Sequence, residues 1–115
     1  AVLGVTFKAN TDDIRNSASI KLINLLLDKG YKVNSYDPKA KYRLKNENYF
    51  QSDDLYSAFN KSNCAVIMTE WDDFKNLDFI KISKLMSSNI ILDIRNIIEK
   101  DNQKLSDFKY YGLGS

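Results

Sequence analysis

Histidine is absent from all 115 residues, which removes the commonest general base and the commonest metal ligand. A Ser-His-Asp or Cys-His catalytic centre within the chain is therefore excluded. The single cysteine, Cys64, cannot form an intrachain disulfide and suits a reducing cytoplasm. A zinc site made from one thiol and carboxylates would run against the ligand preferences of the metal, so no metal is expected. With one proline and four glycines, linker signals are weak. Neither G-x-G-x-x-G nor a P-loop occurs, and Gly4 stands alone in its apolar run, so NAD is not expected to bind here in the usual way. No apolar run approaches the roughly 20 residues of a membrane span, and no secretory leader is visible. The 17 basic residues against 15 acidic give a net charge of +2, without the basic excess of a general nucleic-acid binder. A local basic cluster for one small anion remains compatible with that balance.

What is present suits one soluble globular domain, 43% hydrophobic and 28% charged, and long enough to bury a core without staples. The chain opens on Ala-Val-Leu-Gly rather than Met, which reads as a core strand cut from something longer. Residues 1–5 form a short apolar run of the kind seen in buried parallel strands. Ser17 is a suitable N-cap for a helix reaching about residue 29, and Gly30 suits its C′ stop. On that helix Lys21, Asn24 and Asp28 share a wet stripe, while Ile20, Leu22, Ile23, Leu26 and Leu27 cover the rest.

Residues 32–36 read as a second strand, ended by Asp37-Pro38, and residues 48–50 as a third. Ser52 is expected to cap a helix with Asp53 and Asp54 in its first turn and Leu55, Ala58 and Phe59 on its buried side. Residues 64–68 form the strongest strand. A helix over 78–86 follows, with Phe79, Ile82 and Met86 at core spacing; strands at 89–92 and 109–111 complete the pattern. Strands alternating with helices predict an α/β, three-layer, Rossmann-like domain. Its sheet is expected to be mostly parallel, with five to six strands and helices on both faces.

Ligands of such folds sit beyond the carboxyl ends of the strands. After the first strand, Lys8 can meet a phosphate as a point charge near a helix N-terminus, or be one solvated lysine among many. Phe7 packs in the core or against a base or sugar. Asp12, Asp13 and Arg15 cap the helix and fix the loop, or touch ligand. After the strand at 89–92, Arg95 offers a planar fork for a diphosphate or carboxylate, with Asp93 to orient it; the competing reading is an Arg–Asp pair that only locks the loop. After the strand at 64–68, Trp71 reads as a packing anchor, and Glu70 as a partner for a ribose or a neighbouring loop. Asp37 stands where a dinucleotide fold keeps its ribose-binding acid, but without the glycines that signal is weak. Cys64, at the opposite edge, reads as a small hydrophobe.

The stretch Leu3-Gly4-Val5-Thr6-Phe7-Lys8-Ala9-Asn10-Thr11-Asp12-Asp13-Ile14-Arg15-Asn16-Ser17 strongly resembles the opening of the C-terminal domain in the UDP-glucose/GDP-mannose dehydrogenase family. The likeness continues in Tyr36-Asp37-Pro38, Thr69-Glu70-Trp71-Asp72-Asp73-Phe74, Asp93-Ile94-Arg95-Asn96 and Tyr111-Gly112-Leu113-Gly114, in order and in register. Ile94 departs from a position that is often small in the family, Ala18 replaces a common proline, and Asn63-Cys64 replaces Ala-Asp. None of these removes a proposed ligand group.

This resemblance implies a single UDP-binding C-terminal domain over residues 1–115, a fragment of a longer cytoplasmic enzyme. NAD would be held by an N-terminal domain outside this chain, and the catalytic Cys and Lys would also lie outside it. It also implies that Phe7, Lys8 and Arg95 contact the nucleotide sugar, with Asp13, Arg15, Glu70, Trp71 and Asp93 as loop support. The implied reaction oxidises a sugar C6 alcohol to a carboxylate with two NAD. Implied partners are a UDP-sugar, the rest of the dehydrogenase chain and a second copy, in a homodimer or higher homo-oligomer, with no nucleic acid and no membrane. The Thr-Glu-Trp motif resembles members acting on UDP-glucose more than those acting on N-acetylated sugars. The alternatives are a related UDP-N-acetylhexosamine or GDP-mannose dehydrogenase, and a non-catalytic α/β binding module. A phosphate-accepting receiver domain would need an Asp at the end of the middle strand, where Met68 is followed by Thr69-Glu70.

Overall fold

The structure, a computed structural model, describes residues 1–6, 17–98 and 107–112. Within them lie six strands: β1 (Val2–Leu3), β2 (Val33–Tyr36), β3 (Tyr49–Gln51), β4 (Ala65–Ile67), β5 (Ile90–Asp93) and β6 (Lys109–Gly112). All pair in parallel, in the order β3-β2-β1-β4-β5-β6. The chain builds outward from β1 to β3, then crosses to the other side of β1 and builds outward again. β1 and β4 thus flank the point where strand order reverses, the place where such sheets open a crevice. The expectation of a mostly parallel sheet becomes a wholly parallel one among the described residues.

Alternation along the strands divides the core in two. Val2, Val33 and Tyr49 face one side, where they meet Ile23 and Leu27 of helix α1 (Ala18–Asp28). Leu3, Ala65, Ile67 and Ile91 face the other. There they meet Phe79 and Ile82 of helix α2 (Phe79–Leu85), together with Ala58 and Phe59 of a 3₁₀ turn over Tyr56–Phe59.

Ser17 begins α1 as expected, its hydroxyl accepting from Ser19 N at 3.2 Å. The helix ends in a Schellman arrangement: Tyr31 N donates to Leu26 O and Gly30 N to Leu27 O, both at 3.0 Å. Gly30, at φ 87°, supplies the left-handed turn this requires.

Two local expectations are corrected. The segment after β3 forms a single 3₁₀ turn rather than an α-helix, ended at Asn60, whose ψ of 123° leaves the helical region, just before Lys61 at φ 59°. Ser52 does not cap it. Its hydroxyl donates to Asn34 Oδ1 at 2.7 Å, and the capping acceptor is Asp54, whose Oδ2 takes Ser57 N at 3.0 Å and Ser57 Oγ at 2.8 Å. These bonds hold the Asp54 carboxyl below the usual carboxylate range. The first strand is also shorter than its apolar run, because Gly4, at φ 95°, turns the chain after Leu3.

Candidate functional site

The carboxyl ends of β1, β2, β4 and β5 meet at one edge, and two buried carboxylates organise it. Asp37 follows β2 and is 7% exposed. Its Oδ2 accepts from Val5 N at 2.9 Å, Thr6 N at 3.2 Å and Trp71 Nε1 at 3.3 Å; its Oδ1 accepts from Lys39 N at 2.9 Å and Ala40 N at 3.0 Å. One side chain thus ties together the ends of β1, β2 and β4. A carboxylate has about four lone-pair directions, so five donors leave Asp37 nothing to offer a ribose hydroxyl. Asp37 is therefore a structural anion, and the signal that would have found it is long-range: Val5 and Trp71 are 32 and 34 residues away.

Asp93 plays the matching part at β5. It is fully buried, its Oδ1 accepting from Arg95 N at 3.2 Å. Its Oδ2 accepts from Ile98 N and from the Tyr110 hydroxyl, both at 2.8 Å. Burial pushes the Tyr110 phenol far above its ordinary value, and the hydrogen bond to Asp93 and that residue's charge add to the shift.

Asp93 therefore orients Arg95 through its backbone, not its head group. The guanidinium goes instead to Glu70 on the neighbouring loop, with Nε 2.8 Å and Nη2 2.6 Å from Oε2. The loop-locking alternative thus has a different partner from the Asp93 expected. Both side chains are 39% exposed, so the fork lies at the open edge. Trp71 is the packing anchor expected: it is 5% exposed in the core beside Phe74 and Leu77.

At the strand-order reversal the chains approach closely. A Cβ on Gly4 would run into Thr69 Oγ1 and lie 2.9 Å from Thr69 Cβ, so β1 and the end of β4 meet here without room for a side chain. Thr6 and Thr69 are buried, and among the described residues neither hydroxyl finds a partner. With Gly4 occupied by this contact and Asp37 saturated, the described residues do not fit a dinucleotide. Cys64 lies at the opposite edge, half-buried, where burial pushes its thiol up and away from reactivity.

Phe7, Lys8, Asp12, Asp13 and Arg15 lie outside the described residues. Of the expected site, the structure brings together Glu70, Trp71, Asp93 and Arg95. Among the described residues no group of three His, Cys, Asp or Glu side chains could hold a metal ion, and no helix is long and apolar enough to cross a membrane.

Residues 1–100 match the family described as UDP-glucose/GDP-mannose dehydrogenase family, UDP binding domain. The chain is 41% identical, over its whole length, to a UDP-glucose 6-dehydrogenase of Rickettsia bellii, of which the match covers 27%. Among solved structures it resembles an NDP-N-acetyl-D-galactosaminuronic acid dehydrogenase from Methanosarcina mazei, at 29% identity and TM-score 0.84, over 99% of this chain and 24% of that one. It likewise resembles a UDP-D-ManNAc dehydrogenase from Pyrococcus horikoshii, at 31% identity and TM-score 0.81, over 98% of this chain and 24% of that one. The chain spans about a quarter of the length of the curated relatives it matches.

Proposed function

Given that the chain belongs to the UDP-glucose/GDP-mannose dehydrogenase family, as its UDP binding domain, we propose that it grips the UDP moiety within a longer, NAD-dependent UDP-glucose 6-dehydrogenase. That enzyme works in the cytoplasm as a homodimer or larger homo-oligomer. It converts the C6 alcohol of UDP-glucose, with water and two NAD⁺, into UDP-glucuronate, two NADH and three protons. NAD and the catalytic groups belong to the portions outside this chain, and no step of the oxidation is assigned to the described residues.

The observation that carries this reading is the placement of Arg95. Its backbone is pinned by a buried carboxylate at the end of β5, and its half-exposed fork reaches the edge beside the β4 loop. A diphosphate carries about two negative charges, and charge-assisted hydrogen bonds to it contribute roughly 1.5–3 kcal/mol each. Lys8, five residues after Leu3 in the sequence, is the second cation of the grip, and Phe7 before it contacts the nucleotide sugar.

The test is equilibrium binding of UDP-glucose to the intact dehydrogenase. Lys8→Ala and Arg95→Ala should each weaken binding about tenfold or more, the loss of roughly 1.4 kcal/mol. Unchanged affinity in both would remove the grip. Comparison of NADH formation from UDP-glucose, UDP-N-acetylhexosamines and GDP-mannose decides the sugar.

A further inference from the structure

The Arg95 guanidinium is held from two directions. At the backbone, Asp93 fixes the amide of Arg95. At the head group, one oxygen of Glu70 takes both Nε and Nη2, the side-on edge of the guanidinium plane. An arginine has five N–H donors in a rigid fork. Engaging the side-on edge leaves the end-on fork, Nη1 with the second proton of Nη2, as the part that can close on another anion.

Glu70 is itself held firmly. Its neighbour Trp71 is buried and bonded through Nε1 to Asp37, and Asp37 is bonded in turn to the amides of Val5, Thr6, Lys39 and Ala40. The short 3₁₀ turn Asp72–Phe74 follows, with Phe74 fully buried. The acceptor that fixes the Arg95 head group thus stands on a turn anchored to the ends of β1 and β2. A long side chain left unheld would have to be ordered at the moment of binding; one already ordered does not.

We propose that Glu70 is a positioning residue for the nucleotide sugar: by occupying the side-on edge of Arg95 it presents the end-on fork to the diphosphate. This rests on the assignment of Arg95 to the UDP grip. A bare competitor at the same place would do the opposite, because a carboxylate that the ligand must displace weakens binding.

Isothermal titration of the intact dehydrogenase with UDP and with UDP-glucose, at one fixed ionic strength, separates these. Glu70 and Arg95 are both partly exposed, so their variants should fold. Arg95→Ala should weaken binding about tenfold or more, and Glu70→Ala roughly three- to tenfold. Glu70→Gln should stay within about twofold of the parent, because its carbonyl can still accept from both Nε and Nη2. The double variant should bind about as Arg95→Ala does, since the proposed effect of Glu70 on the ligand passes through that side chain. The KM for NAD should not change in any of them.

Arg95→Ala without effect removes Arg95 from the site, and the proposal falls with it. Arg95→Ala weakened with Glu70→Ala unchanged sinks the Glu70 role alone. Tighter binding by Glu70→Ala or Glu70→Gln makes the carboxylate a competitor. An equal further loss in the double variant makes it a direct ligand contact or a general structural support; each of these outcomes overturns the positioning role.

Discussion

At the residue scale the edge depends on a few side chains whose partners are distant in sequence. Asp37 is the strongest case. In Asp37→Asn the amide nitrogen replaces one acceptor, so either two or three of its five N–H donors lose their partner, whichever way the amide turns. Each buried donor so orphaned costs about 1–3 kcal/mol, so the variant should lose at least about 2 kcal/mol in urea denaturation. Asp53→Asn should change little, because the Lys41–Asp53 pair lies at the surface with side chains 55% and 86% exposed, where such pairs contribute about 0–1 kcal/mol. Equal effects of the two substitutions would contradict the anchoring role of Asp37. Its position after β2 was legible in the sequence, but its role was not. The donors come from residues up to 34 positions away, and no local pattern records them. The same holds for Arg95: the sequence names the fork and its loop, while its Glu70 partner depends on the β4–β5 register.

At the scale of elements, what was legible was what is local. Buried parallel strands are short apolar runs, and all six fall within a residue or two of their expected positions. The α1 cap and its Gly30 stop are local as well. The segment after β3 departs from expectation because the Ser52 hydroxyl turns to donate to Asn34 on β2, and Asp54 supplies the capping oxygen instead. Two element-scale consequences can be measured.

Gly4→Ala places a side chain at φ 95° and against Thr69. Strain of about 1–3 kcal/mol and overpacking of about 1–3 kcal/mol together predict roughly 2–6 kcal/mol of lost stability by denaturant unfolding. A loss under about 1 kcal/mol would mean that β1 and the β4 end do not meet so closely.

The second consequence concerns β6. Tyr110 donates to Asp93 and to Ile98 O, so ionising it would remove those bonds and set two negative charges side by side. Its folded value is raised, whereas the unfolded chain releases the proton near pH 10. The folded state therefore holds more protons above that pH, and stability should fall as pH rises past about 10. In Tyr110→Phe that alkaline slope should shrink, and the phenolate absorbance titration of the parent should show Tyr110 among the tyrosines, with Tyr36 and Tyr49, that ionise later than an exposed phenol. An unchanged slope would separate Tyr110 from Asp93.

At the scale of the whole molecule, the proposed grip draws on one edge of the sheet. The strands deliver their carboxyl ends to a single edge, where Arg95 reaches from β5 and the chain leads from β1 into Lys8. The proposed pair of cations, Arg95 and Lys8, would hold a diphosphate against water only in part, because an open site keeps high dielectric around the charges. The opposite wall would come from the remainder of a chain of which relatives have about four times this length. The 115-residue chain alone should therefore bind UDP in about the millimolar range, near −4 kcal/mol. Uridine, lacking phosphates, should bind undetectably. Raising the salt from about 50 to 300 mM should weaken UDP further, since the Debye length shortens to well below 10 Å. Amide chemical shifts followed during UDP titration can read all three effects, with the largest movements expected at Arg95 and its Glu70 neighbour. Micromolar, salt-indifferent binding would instead require a closed pocket complete within these residues, and the second wall would have to be sought in this chain.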